Sequence, residues 1–386
     1  MRTCKLMAPC HFGLEAVLKR EIYDLGYEIT AVEDGKVYFE GDAEAIVLAN
    51  IHLRTAERVL LVLDQFHAET FEDLFQGIKN IPWEDFLPKS AKFWVAKAAS
   101  VKSKLFSTSD IQSITKKAMV ERMKQYYKID WFPEDGASYP VRMFFLKDEV
   151  TVTIDTTGDS LHKRGYRLET GKAPISETLA AALIMLTPWH KDRILLDPFC
   201  GSGTFPIEAA MMACNMAPGM RRHFTAENWT NLIEPSLWDQ AREDAEAAVD
   251  MSVKDVMDIQ GYDLDPKVVK IARENAKRAG VADLIHFQER ALKDTRHPKK
   301  YGFIISNPPY GERLEDKDSL PPLYKQIGKV YAGLDSWSMF LITSYADAEK
   351  YIGKKADKNR KIYNGMIKTY FYQFLGPKPP KKGKRP

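Results

Sequence analysis

The sequence predicts an α/β protein in which a doubly wound, mostly parallel sheet follows two smaller α/β units. Three observations carry that expectation. After Arg193, short apolar runs alternate with amphipathic helical stretches, the pattern of repeated βαβ units. The first of these runs, RILLDPF, passes into a glycine loop, CGSGT, that opens a helix. The first 155 residues instead hold short strand and helix signals punctuated by turn residues such as Asp34–Gly35.

In chain order, KLMAP reads as a strand, and FGLEAVLKREIYDL sets Leu14, Val17, Leu18, Ile22 and Leu25 on one helical face before Gly26 ends it. YEITAVEDGKVYFEG reads as two strands around the Asp-Gly turn, and AEAIVLANIHLRTAERVLLVL as a helix running into a strand. This strand–helix–strand–strand–helix order is ferredoxin-like and occupies residues 1–60. Residues 61–155 read as a second α/β module, with helices at TFEDLFQGIKNI and IQSITKKAMVERMKQYY and strands at FWVAKAAS and on both sides of Lys147–Asp148. Lys97, Lys102 and Lys104 lie in this module and are either phosphate contacts or an ordinary solvated surface. Residues 156–175 are rich in Gly, Thr, Ser and basic residues, lack periodicity, and read as a linker. The catalytic domain is expected over 176–376, ending in strands at KIYNGMIKTYF and YQFLG, with a basic disordered tail over 377–386.

Composition excludes several classes. With 45% hydrophobic and 28% charged residues among 386, the chain is neither disordered nor fibrous. No apolar run approaches the ~18 residues of a membrane span, and the start lacks the apolar core of a signal peptide. Four scattered cysteines form no disulfide framework and no CxxC pair, so no metal and a reducing cytoplasm are expected. The net charge of +3 hides an uneven distribution, because residues 354–386 carry eleven Lys/Arg and a single acid, Asp357.

The chemistry-bearing residues fall at predicted strand ends. Asp197, Cys200, Gly201, Gly203 and Thr204 form a loop whose backbone can approach a ligand closely, ahead of a helix N-terminus. No GK[ST] follows, which excludes a Walker A loop, and the full dinucleotide fingerprint is absent. An acid at the start of that loop suits a cationic ligand better than a pyrophosphate. Asp263 ends the next strand, placed for ribose hydroxyls, whereas Asp265 precedes Pro266 as a helix cap. The sharpest signal is Asn307-Pro308-Pro309-Tyr310 after the apolar strand YGFIIS. Two prolines remove two backbone donors and leave carbonyl acceptors at a strand end. With the Asn307 amide oxygen they suit the exocyclic amine of a planar base, and Tyr310 is placed to stack on it. A nucleobase amine is a poor nucleophile, and acceptors that hold its hydrogens favour pyramidal geometry and stabilise developing positive charge.

DPFCGSGT, GYDLDP and NPPYGERL together resemble the class I S-adenosylmethionine-dependent methyltransferases that act on amino groups. The longer stretches TTGDSLHKRGYRLETGKAPISETLAAALI, DPFCGSGTFPIEAAMMACNMAPG and SNPPYGERL resemble the bacterial THUMP-domain guanine-N2 RNA methyltransferases, which include enzymes of 23S ribosomal RNA. The resemblance spans nearly the whole chain. It implies a ferredoxin-like region, a THUMP module for structured RNA, and a seven-stranded methyltransferase sheet whose last strand is reversed. It implies S-adenosylmethionine as cofactor, held by the glycine loop and Asp263, with Thr178 near its methionine part and Asn307–Tyr310 as the catalytic tetrapeptide. Ribosomal RNA is favoured as substrate over transfer RNA, and adenine-N6 methylation of DNA is a weaker alternative. One position departs from the pattern, since Arg290 stands where an acid commonly receives the cofactor's adenine; Gln288, Asp294 or a backbone carbonyl would take that part. Arg164 and Arg167 either contact RNA phosphate or order the linker. Arg221 and Arg222 lie in a long segment, about 211–256, that is placed to cover the target base.

Overall fold

The computed structural model describes residues 3–167, 175–309, 318–365 and 367–380. The chain divides into two compact units, one of Met1–Cys10, Leu18–Leu161 and Arg222–Asp244, the other of His11–Val17, His162–Arg221 and Ala245–Pro386. No helix among the described residues is long and apolar enough to cross a membrane.

The N-terminal half runs β1 (Cys4–Pro9), α1 (Glu15–Asp24), β2 (Ile29–Glu33), β3 (Lys36–Gly41), α2 (Ala43–His52), β4 (Leu60–His67), α3 (Phe71–Asn80), β5 (Lys92–Val101), α4 (Thr108–Tyr127), β6 (Ser138–Leu146) and β7 (Glu149–Asp155). The two modules read from the sequence share one seven-stranded sheet, ordered β2-β3-β1-β4-β7-β6-β5. The join is β4, which is paired along both edges: Leu61 stands opposite Leu6 on one side and Ile154 on the other. The 60/61 boundary therefore falls inside a strand. The Lys147–Asp148 turn joins β6 to β7 with both residues in the left-handed region, φ 53° and 66°, the backbone that a two-residue hairpin requires.

The expected linker is pinned at its first end. Thr156 and Thr157 are buried and bonded to Asn50, whose Nδ2 donates to Thr156 Oγ1 at 2.9 Å and whose Oδ1 accepts from Thr157 Oγ1 at 2.7 Å. Arg58 donates to Asp155 Oδ2 at 2.6 Å and Ser160 Oγ at 2.8 Å. A buried polar network of this kind specifies one backbone path. The rest of the linker, 168–174, lies outside the described residues. Within the long segment after residue 211, the middle, Arg222–Asp244, belongs to the first unit. There Trp229 stacks on Tyr139 with centroids 4.9 Å apart and donates its indole N–H to the Ser138 carbonyl, while Asn231 donates to the Phe86 carbonyl.

The second half contains α5 (Glu177–Met185), β8 (Leu195–Asp197), α6 (Thr204–Ala213), α7 (Pro235–Ala247), β9 (Ile259–Asp263), α8 (Pro266–Ala279), β10 (Ile285–Glu289), β11 (Phe303–Ser306), α9 (Leu320–Ala332), β12 (Ser338–Thr343), α10 (Ala348–Ile352), β13 (Lys358–Asn364) and β14 (Ile367–Phe374). Its sheet is ordered β10-β9-β8-β11-β12-β14-β13, parallel through β12 and with β14 antiparallel to both neighbours. The run KIYNGMIKTYF, read as one strand, is a hairpin: β13 turns at Gly365, φ 60°, and returns as β14, which also absorbs YQF. Asn364 is still paired, with Ile367, and Gly365 at the first loop position is the turn signal. An apolar cluster of Tyr324, Trp337, Met339, Leu341, Tyr372 and Phe374 fills one face of this sheet beneath α9.

Candidate active site

Parallel strands bring their carboxyl ends to a single edge, and the predicted site residues collect there. β8 ends in Asp197, β9 in Asp263, and β11 in Ser306 followed by Asn307. β8 lies between β9 and β11, so the three ends are neighbours.

The glycine loop is formed by two left-handed residues. Gly203 (φ 87°) is the N-cap of α6, and a Cβ there would approach Phe287 to 2.9 Å and Ala272 to 3.2 Å. Gly201 (φ 52°) differs: a Cβ there would meet nothing within 4 Å. Packing excludes a side chain at Gly203, while Gly201 faces open space beside the carboxylates. Asp263 fixes the loop by accepting from Gly201 N at 3.1 Å through Oδ2 and from Asp265 N at 3.0 Å through Oδ1. Asp265 caps α8 by accepting from Lys267 N at 2.8 Å. Cys200 is buried, and burial, with Asp197 and Asp263 nearby, pushes its thiol well above the ordinary range, so it stays protonated and unreactive. Thr204 is buried in the first turn of α6, and Thr178 is fully buried in α5, with its hydroxyl 3.3 Å from that of Ser176.

Asp197 is 2% exposed. Burial raises its carboxyl to about 7 against the pull of hydrogen bonds from Ser306 Oγ and Phe199 N, and the Asp263 charge adds to the rise. The Ser306 contact, 2.5 Å, ties the start of the glycine loop to the residue before Asn307. Sequence reasoning missed Ser306, whose signal is a lone hydroxyl closing the apolar strand FIIS. It also missed Tyr324, which donates to the Pro309 carbonyl at 3.3 Å and lies 2.6 Å from Thr343 Oγ1.

Asn307 is half-buried, and its Oδ1 is fully shielded with no hydrogen-bond partner among the described residues. A buried acceptor without a donor costs about 1–3 kcal/mol, and such an atom at the strand edge is suited to a donor brought by substrate. Pro308 is buried and Pro309 exposed. Tyr310 lies outside the described residues.

Arg290, expected from the sequence to stand in place of an acid, directly follows the end of β10 at Glu289. Its guanidinium lies over the Tyr262 ring, 4.5 Å from the centroid, and donates to Gln288 Oε1 at 2.9 Å. Gln288 is thereby engaged, whereas Asp294 closes a short 3₁₀ turn nearby in the chain.

The basic candidates separate sharply. Arg164 is buried against Glu208 at 3.5 Å, and Arg167 is buried in an ion pair with Glu177 while donating to the Ile175 carbonyl. Arg222 is buried and donates to the Ser160 and Asp159 carbonyls. These three guanidiniums are engaged inside the fold. Arg221 is exposed but donates to the Ala279 carbonyl at the C-terminus of α8. Lys97, Lys102 and Lys104 are exposed on the first unit, with Lys104 paired to Glu69. No cluster of three or more His, Cys, Asp or Glu side chains among the described residues could hold a metal.

Residues 164–373 match the family described as RMKL-like methyltransferase domain, 5–60 the RlmL ferredoxin-like domain, and 68–155 the THUMP domain. YpsC of Bacillus subtilis (strain 168) is 46% identical over 386 residues, covering 100% of this chain and 99% of that one. The ribosomal RNA large subunit methyltransferase K/L of Cellvibrio japonicus (strain Ueda107) is 33% identical over 95% of this chain, which spans about half (50%) of that protein's length. The structure of SMU.472 complexed with SAH superposes with a TM-score of 0.93 at 44% identity, covering 98% of this chain and 100% of that one.

Proposed function

The chain belongs to the RlmL-type family of S-adenosylmethionine-dependent RNA methyltransferases, and on that premise we propose that it methylates the exocyclic N2 amine of a guanine in 23S ribosomal RNA. The observation that carries the reading is Asn307 Oδ1, a shielded acceptor awaiting a donor at the edge where the glycine loop and Asp263 converge. S-adenosylmethionine, when bound, supplies a sulfonium-activated methyl group. Asp263 is the acid placed for its ribose, and the space over Gly201 accommodates it without a Cβ in the way.

Asn307 accepts one hydrogen of the substrate amine, and the Pro308 carbonyl accepts the other. Held this way, the nitrogen lone pair turns out of conjugation with the ring, and positive charge developing on nitrogen meets fixed dipoles rather than reorganising water. Ser306 and Tyr324 do not touch the amine; they hold the strand end and the Pro309 carbonyl so that both acceptors stay aimed. No general base is required for attack, because the amine hydrogen becomes acidic only as the nitrogen acquires charge, and that proton is then lost to solvent water. The target base must leave its stack to reach this edge, and an aromatic ring such as that of Tyr310 can repay part of that cost by stacking on it.

Mass spectrometry of modified nucleosides, mapped by position in rRNA and tRNA from cells with and without the gene, tests the reading. Loss of N2-methylguanosine at one 23S position is expected. Loss confined to tRNA, or loss of N6-methyladenosine, overturns the assignment.

A further inference from the structure

The β13–β14 hairpin presents a pattern that neither the cofactor loop nor the catalytic strand end explains. Register places Lys361 opposite Tyr370 and Tyr363 opposite Lys368. Because side chains alternate across a strand, these four share one face, while Ile362, Thr369 and Phe371 are buried on the other. The result is a checkerboard of two cations and two rings. Lys361 Nζ lies 5.2 Å from the Tyr363 centroid, and Lys368 Nζ lies 5.2 Å from the Tyr370 centroid. Both lysines are exposed and both tyrosines half-buried, with Tyr370 seated against the α9 cluster.

The position of this face matters as much as its composition. Ser306 is level with Leu341 of β12, and Leu341 with Tyr372 of β14. β12 ends at Thr343, opposite Tyr370, so Lys368 and Tyr363 extend past the carboxyl edge on which Asn307 sits. Two strand spacings, about 10 Å, separate the line of β11 from that of β14. Lys354, Lys355, Lys358 and Arg360 add charge along the same strand and its approach, against the single acid Asp357. Lysines on an edge strand also serve to block edge-to-edge pairing. That role asks for no tyrosine in register with each lysine, and no extension past the catalytic edge.

We propose that the outer face of this hairpin, formed by Lys361, Tyr363, Lys368 and Tyr370, is an RNA-contact surface on the catalytic unit that grips the strand flanking the target base. The lysines pair with phosphates and the tyrosine rings stack on unpaired neighbouring bases. The proposal rests on the RNA substrate argued above and deepens it by naming how the catalytic unit itself holds that substrate.

The test uses the full chain and ribosomal RNA purified from cells lacking the gene. Lys361→Ala/Lys368→Ala should raise KM for that RNA several-fold and lower the slope of log affinity against log salt by about 2. Tyr363→Ala should weaken RNA binding about tenfold. In both, kcat, affinity for S-adenosylhomocysteine and melting temperature should stay near wild type, and Lys361→Arg/Lys368→Arg should restore KM. An active wild type whose variants keep KM and salt slope unchanged overturns this surface alone. A wild type inert on both rRNA and tRNA overturns the RNA reading and the surface with it.

Discussion

The two seven-stranded sheets solve different problems. In the first, every neighbouring pair but β5–β6 is antiparallel, so strand ends alternate between its two edges and no one edge collects functional groups. One buried ionic group there, Asp155 between Arg58 and Arg142, sits at a strand end as a structural clasp. In the second, five parallel strands deliver Asp197, Asp263 and Asn307 to one edge. There the buried polar groups are left partly unpaired or perturbed. Charge that is fully paired holds a fold together, while charge or acceptor capacity held in reserve marks the place where a ligand completes the structure.

Substitutions break or sharpen that contrast. Asp155→Ala should be the most damaging to stability, because it strands two arginines; a loss of about 3–5 kcal/mol is expected, read by chemical denaturation, with methyl transfer per folded molecule unchanged. Asn307→Ala should do the reverse, lowering single-turnover methyl transfer by about 10²–10³ while S-adenosylhomocysteine still binds in calorimetry. Gly203→Ala combines both effects: its left-handed backbone costs about 1–2 kcal/mol, and the added Cβ meets Phe287 and Ala272, so melting temperature and cofactor affinity should fall together.

Asp197 gives a pH test. Its folded carboxyl is raised to about 7, above its unfolded value of about 3.9. The folded state then binds more protons than the unfolded state between these values, so stability is lost as pH rises from about 4 to 7. Asp197→Asn keeps an acceptor for Ser306 and Phe199. Its melting temperature should match wild type near pH 4 and exceed it increasingly up to pH 7; parallel curves would contradict the burial argument. The smallest effect is expected from Cys200→Ala, whose protonated thiol does no chemistry, and whose rate should stay within about twofold of wild type.

Much of this was legible in the sequence, for local reasons. Strand–loop–helix periodicity announces β8, its glycine loop and α6, and Asn307-Pro308-Pro309 announces a strand end that cannot continue as a ladder. What escaped depends on distant partners. Nothing local in Leu60–His67 says that β4 is paired on both sides. Nothing in Arg164 or Arg167 reveals the buried Glu208 and Glu177 that claim them. The hairpin at Gly365 is the exception, since a glycine at the first loop position is a local signal.

The excursion of Arg222–Asp244 has a consequence for how such a chain is inherited. The polypeptide passes between its two units five times, at 10/11, 17/18, 161/162, 221/222 and 244/245. A single cut at residue 161 would leave Trp229 and Asn231 without Tyr139 and Phe86, exposing an indole that is now fully buried. Neither unit is therefore a cassette that recombination or cloning could move intact by its ends. The two halves of this design must travel, and diversify, as one interwoven gene product.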